Sequence, residues 1–195
     1  MPSTLIFVRH AETDLAGRFC GHSDPHLNES GHAQLADLIE RLAPYAIDLV
    51  VSSDLARARE TAEAVANPRA LPIRTCAELR EIFFGQWEGL DWASIEAVDQ
   101  AFANRWVSEF PHLAAPGGEA VAAFRHRVAA AVRSLREEAE SQRTIAIFTH
   151  AGVIRALLED ECHFSAHHAW ERTRGYATIV RCTQTSPASA LQVHL

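Results

Sequence analysis

"STLIFVRHAETD" (residues 3–14) and "RTIAIFTHAGVIR" (143–155) share one shape: an apolar, partly β-branched run that stops abruptly at a histidine, His10 or His150. Short runs of this kind read as buried strands. Arg9 stands directly before the first histidine. Two strands ending on the same residue type predict a shared edge of one sheet. If the strands are neighbours, about 4.8 Å separates their axes and the two imidazoles face one crevice.

The chain between them alternates in type. Residues 4–9 read as a strand, followed by a loop, "GRFCGHSDPHLNESG" (17–31), with too few apolar residues for a core. Leu35, Leu38, Ile39 and Leu42 mark an amphipathic helix that Pro44 ends. "IDLVVSS" (47–53) is a second buried strand, and "DLARARETAEAVA" (54–66) a helix with Asp54 placed to cap it. "ALPIRTC" (70–76) reads as a third strand and "ELREIFFGQWEGLDW" (78–92) as an aromatic-rich loop. A helical stretch over 92–107 leads into the breaker-rich "FPHLAAPGGE" (110–119). Val121, Phe124, Val128, Val132 and Leu135 give the next, long helix one apolar face. A strand at 144–149, a helix at 152–160 and closing strands at 177–183 and 190–194 complete the pattern.

This alternation predicts an α/β fold, a mostly parallel sheet with helices on both faces. One domain over residues 1–195 is expected, with a cap segment at about 85–116 that interrupts the alternation. In such sheets ligands bind beyond the carboxyl ends of the strands.

Composition narrows the partners. The net charge of −7 disfavours nucleic acid. No apolar run approaches the roughly 20 residues of a membrane span, and "MPSTLIFVRH" lacks the features of a signal peptide. Cys20, Cys76, Cys162 and Cys182 are scattered without CxxC spacing, as expected of reduced thiols in a cytoplasmic protein. All 18 cationic side chains are arginine. That excludes a Schiff-base or P-loop lysine, and any anion site must use the planar guanidinium fork.

At the expected edge the sequence gathers Arg9 and His10, then Arg57 and Arg59 in the opening of a helix, then His150 before another helix N-terminus. Glu78 and Glu81 follow the third strand. Such a set suits a compact dianion, a phosphate above all. A neutral imidazole can accept a phosphoryl group, while guanidinium groups and a second imidazole offset the oxygens' charge. A carboxylic acid must protonate the leaving oxygen and then activate water. Desolvation or the incoming phosphate is expected to favour the acid form, and the aromatic surroundings of Glu81, "IFFGQW", suit that.

"VRHAET" (8–13), "SSDLARARETA" (52–62), "LREIFFGQWEG" (79–89), "PGGE" (116–119) and "FTHAGVIR" (148–155), in that order, resemble the histidine phosphatase superfamily. The resemblance implies the phosphoglycerate mutase-like three-layer α/β/α sandwich with a small helical cap insertion. It also implies His10 as the phosphorylated nucleophile, Arg9, Arg57 and His150 as the phosphate pocket, and Glu81 as the acid/base. No metal or other cofactor is implied. The loop, "EIFFGQWEG" (81–89) and "HHAWERTRGYATI" (167–179) look most like the α-ribazole phosphatase branch. The expected function is thus hydrolysis of a small-molecule phosphomonoester, α-ribazole 5′-phosphate being the named candidate. A phosphoglycerate mutase-type phosphotransferase and a broad-specificity sugar or nucleotide phosphatase are the alternatives, and a homodimer is left open.

Gly21 and His22 in the loop, and Trp87, are further substrate-binding candidates; Glu119 is a candidate support. Trp106 is a lesser candidate for touching a ligand ring. His163, His167 and His168 crowd in "HFSAHH" without the carboxylates of a metal motif. Three departures from the family pattern stand out: Ala11 and Ala151 where glycine usually follows each histidine, and Ala16 where asparagine is common. An added methyl is costly only where φ is positive. At Ala16, one phosphate contact is therefore either missing or supplied by another group, the backbone around Cys20 and Gly21 being one candidate.

Overall fold

In the computed structural model, which describes residues 2–139 and 143–194, six strands form one sheet in the order β3-β2-β4-β1-β5-β6. They are β1 (Ser3–Arg9), β2 (Leu49–Ser52), β3 (Ile73–Thr75), β4 (Thr144–Thr149), β5 (Ile179–Gln184) and β6 (Gln192–His194). The pairs β1–β4, β2–β4 and β2–β3 are parallel, and β5 is antiparallel to both β1 and β6. The two histidine-ended strands are therefore neighbours, with Arg9 level with Thr149.

Side-chain alternation along β1 and β4 builds the two cores. Leu5, Phe7, Ile145 and Ile147 point to one face and meet α4 (Val121–Glu138) and α5 (Ala151–Asp160), with α6 (Ala166–Thr173) packed behind. Ile6, Val8, Ala146 and Phe148 point to the other and meet α1 (Glu29–Leu42) and α2 (Ala56–Ala66). Helices on both faces make the expected α/β/α sandwich, the doubly covered sheet that near-continuous apolar strands require.

One local expectation needs correction. Asp54 does not cap α2: the N-cap is Leu55, and the amide of Ala56 donates to Asp24 at 2.6 Å instead. Asp54 is committed elsewhere, to a two-bond ion pair with Arg80 at 2.5 and 2.7 Å. The helix α3 (Trp92–Glu109) breaks at Asp99, whose carboxylate accepts from the amide of Phe102 and restarts the second half.

Residues 85–116 carry their own aromatic cluster, in which Trp87, Ile95, Ala103 and Ala115 are buried against Phe19, Trp92, Phe102 and Trp106. Gly85 shows why "FFG" and "PGGE" belong together. Its φ is +55°, and a Cβ there would lie 2.4 Å from the carbonyl carbon of Gly117.

Candidate active site

β1, β2 and β4 end at one edge, and the next residues turn into it. The amide of His10 donates to the carbonyl of Thr149 at 2.9 Å, which locks the two strand ends together. The rings of His10 and His150 meet edge-on with centroids 5.2 Å apart. Both are buried.

The tautomer of His10 follows from its partners. Nδ1 lies 2.7 Å from the carbonyl of Ala11, which can only accept, so Nδ1 carries the proton. Nε2 therefore keeps its lone pair, and Arg57 Nε donates to it at 3.2 Å. Burial first, then the charges of Arg57 and Arg9, hold the imidazole well below the usual histidine pKa. It is neutral at physiological pH. Burial and the charge of Arg57, with smaller effects from His10 and Arg9, do the same to His150. His150 Nε2 meets Ser53 Oγ at 2.9 Å, while its Nδ1 is buried without a protein partner.

Arg57 is fully buried. Its Nη atoms donate to the carbonyls of Ser23 (2.6 Å), Gly21 (2.8 Å) and Cys20 (3.2 Å). The loop is turned toward it by a carboxylate on the far side. Glu88 accepts from the amides of Gly21, His22, Ser23 and Phe84 and from the Ser23 hydroxyl, at 2.6–3.1 Å. Burial would raise the Glu88 pKa, but these donors, Ser23 foremost, outweigh it and hold the carboxyl below its ordinary value.

Arg9 lies 4.0 Å over the ring of Tyr176, and its Nη1 donates to the carbonyls of Thr173, Arg174 and Gly175. Its buried Nε has no partner. Arg9, His10, Glu81, Arg155 and Tyr176 line a pocket of about 260 Å³ over the edge. Arg57 and His150 stand behind it, at the ring of His10.

Glu81 reaches the pocket from the loop after β3. Its Oε2 accepts from the amide of Gly152 at 2.8 Å and its Oε1 from that of Ile82 at 2.9 Å. The loop is buckled from outside by Arg127, which donates to the carbonyls of Glu78, Arg80 and Glu81 at 2.7–2.9 Å. Glu119 fixes Arg127 with two bonds of 2.8 Å, so the "PGGE" carboxylate supports the site at one remove.

Several sequence candidates lie elsewhere. Arg59 and Glu78 are exposed and outside the pocket. Gly21 does not line it either, since its amide serves Glu88 and its carbonyl Arg57. His22 is turned toward the Glu81 loop, with Nε2 3.1 Å from the Glu81 carbonyl. Trp87 is 6% exposed, packed against Phe19 and Trp106, and does not line this pocket. In the backbone around Cys20 and Gly21, the Gly21 amide and both carbonyls are already bonded, while Cys20 lines the pocket. Among the described residues, no three His, Cys, Asp or Glu side chains gather as metal ligands, and no helix is long and apolar enough to cross a membrane.

Ala11 and Ala151 pose no strain. The only described non-glycine residues with positive φ are Ala70, His163 and Ala177. The glycine that matters is Gly152, where a Cβ would lie 2.0 Å from Glu81 Oε1. Three site residues had no sequence signal strong enough to assign them. Arg155 falls one turn into α5, Tyr176 beneath Arg9, and Glu88 behind the loop. All three lie within quoted stretches, but none was singled out there.

The sequence model described as "Histidine phosphatase superfamily (branch 1)" matches residues 5–193. Adenosylcobalamin/alpha-ribazole phosphatase of Escherichia coli K12 is 31% identical over 168 residues, spanning 85% of this chain and 82% of that protein. Phosphoserine phosphatase 1 of Hydrogenobacter thermophilus is 32% identical over 158 residues, spanning 78% and 73%. The crystal structure of the alpha-ribazole phosphatase from Shigella flexneri shares the fold at a TM-score of 0.86 and 29% identity, covering 97% of this chain and 95% of that one. A match over almost the whole chain, joined to relatives that are phosphatases by name, makes this protein a phosphatase that belongs to branch 1 of the histidine phosphatase superfamily.

Proposed function

We propose that the chain is a metal-independent phosphomonoesterase that works through a phosphohistidine on His10, with α-ribazole 5′-phosphate as its substrate. The observation that carries the chemistry is the tautomer of His10: Nδ1–H is held by Ala11 and the Nε2 lone pair faces Arg57. The substrate assignment is supported by the names of the relatives in Escherichia coli and Shigella flexneri.

In the first step the Nε2 lone pair forms a bond to phosphorus as the bond to the leaving oxygen breaks. Glu81 in its acid form gives that oxygen a proton. Arg9, Arg57 and the Nδ1–H of His150 hold the three transferring oxygens in a site already desolvated, where their charge counts most. In the second step the Glu81 carboxylate takes a proton from water, the water oxygen bonds to phosphorus, and the N–P bond breaks. Free phosphate and neutral His10 result. The 85–116 segment serves as the cap that keeps bulk water from the intermediate.

The test is a rapid-quench reaction with a labelled phosphoester. Wild type should yield a phosphoenzyme stable to base and labile to acid, with turnover unaffected by a chelator. His10→Ala should yield none and lose about 10³-fold or more in kcat. Wild-type turnover in His10→Ala sinks the mechanism. A panel of α-ribazole 5′-phosphate, phosphoglycerates, sugar phosphates and nucleotides tests the substrate, and isomerised phosphoglycerate would favour a mutase.

A further inference from the structure

The neighbouring strands β2 and β4 bring a buried hydroxyl up to the second histidine. The amide of Ser53, the residue after β2, donates to the carbonyl of Phe148 at 2.9 Å, which sets Ser53 level with the end of β4. From there Ser53 Oγ lies 2.9 Å from His150 Nε2, and both residues are fully buried. Ser53 does not line the anion pocket, so whatever it does for a ligand passes through the imidazole.

The protons of this pair can be placed. Ser53 Oγ already accepts from the amide of Leu55 at 3.4 Å, and the adjacent Ser52 hydroxyl is committed to the Ser53 carbonyl at 2.8 Å. Among the described residues, His150 Nε2 is the sole acceptor for the Ser53 proton. The imidazole is neutral and has one ring proton to place. On Nε2, that proton would compete for the serine oxygen and leave the buried hydroxyl proton without an acceptor, a costly arrangement. On Nδ1, it frees the Nε2 lone pair to accept from the hydroxyl. The Nδ1–H then stands buried and without a protein partner, in a ring that meets the ring of His10 edge-on. A buried donor left open in this way is suited to a ligand oxygen.

We infer that Ser53 is a positioning residue: it fixes His150 in the Nδ1–H tautomer and so supplies a donor for a transferring phosphoryl oxygen. The other tautomer would turn a lone pair toward that oxygen, and repulsion would replace attraction. Without the hydroxyl, the protein no longer selects between the two nitrogens. Ser53 gives up no proton in the reaction and remains a donor to Nε2 throughout. This rests on the phosphomonoesterase reading and adds to it the group that orients the second histidine.

The test has two arms. In a double-mutant cycle with p-nitrophenyl phosphate, Ser53→Ala should lower kcat/KM by about tenfold or more in an otherwise wild-type chain. Beside His150→Ala the same change should cost less than about twofold, because a residue that acts through His150 has nothing left to act on. No loss in the wild-type background overturns the inference. An equal loss in both backgrounds, the pattern of a purely structural role, overturns it too. The second arm reads the tautomer directly, by proton–nitrogen correlation spectra of isotope-labelled histidine rings, the His150 signals being those missing from His150→Ala. Wild type should show a protonated Nδ1 and a bare Nε2, with and without inorganic phosphate, and Ser53→Ala should bring in the Nε2–H form when phosphate is absent. An Nε2–H form in wild type, or a tautomer indifferent to Ser53→Ala, rejects the assignment. The spectra need no turnover, so they stay readable even if His10→Ala remains active and the phosphohistidine mechanism fails.

Discussion

The amide of Gly152 donates to Glu81 Oε2 at 2.8 Å, and the space where a side chain would begin is filled by the same carboxylate. Gly152→Ala must therefore displace Glu81, a flexible group, without disturbing packed backbone. We expect kcat to fall by about 10²-fold, the order reached when a reacting group is misplaced by an ångström. Thermal melts should show stability within about 1 kcal/mol of wild type. A fully active Gly152→Ala would remove Glu81 from the acid/base role.

Ala151, one residue earlier, predicts the opposite. It has helical backbone angles and opens α5. Ala151→Gly should bring no gain in activity and should cost about 0.5–1 kcal/mol of stability, measurable by urea titration.

Arg57→Met removes the donor to three loop carbonyls as well as to His10. Unpartnered carbonyls cost about 1–3 kcal/mol each, so a loss of about 3 kcal/mol or more is expected, with kcat/KM reduced by about 10²-fold or more. A melting temperature equal to wild type would contradict the bracing role.

Glu88→Gln places an amide NH2 among N–H donors that now converge on two oxygens. The expected cost is about 2 kcal/mol or more, and the loosened loop should show faster hydrogen exchange at Gly21–Ser23. Unchanged exchange there would refute the bracing by Glu88.

Acid should destabilise the fold through His10 and His150. An unfolded imidazole takes up a proton near pH 6.5, but both folded ones do so only well below that value. Between those limits the unfolded chain holds more protons, so lowering the pH favours unfolding. This contribution is complete above about pH 6.5 and is lost below it, by up to about 1.4 kcal/mol per pH unit for each histidine. Denaturation from pH 7.5 to 5.5 checks it, and His150→Asn should remove one histidine's share of the slope. A flat profile in that range would be inconsistent with neutral buried imidazoles.

The strand ends were legible because apolar periodicity and an abrupt polar stop survive in one dimension. "LIFVRH" and "IAIFTH" announced the sheet edge; places after the second and third strands offered Arg57 or Arg59 and Glu78 or Glu81, and the family resemblance singled out Arg57 and Glu81. What escaped were residues whose partners are backbone groups. Glu88 binds amides of residues more than sixty positions earlier, which leaves no trace in residue types. Asp54 looked like a cap because position alone cannot show that Arg80 will claim its carboxylate. Trp87 could be left only as a candidate, because composition does not distinguish a buried tryptophan from one facing a pocket. Gly152 was overlooked for the alanine beside it, since φ values and close approach appear only in three dimensions.

The place of β1 in the sheet has a consequence for synthesis. Of the six strands, β1 is made first and is flanked by β4 and β5, which are made much later: Thr4 pairs with Thr144 and Thr183. While residues 10–140 emerge, Leu5, Ile6, Phe7 and Val8 have no permanent partner on either side. His10 is thus made early and positioned last. Closure over so long a span makes folding slow, and a chain truncated before β4 would display an unpaired apolar strand open to aggregation. Hydrolytic competence should arrive in one step, when the C-terminal strands slot in around the N-terminal one.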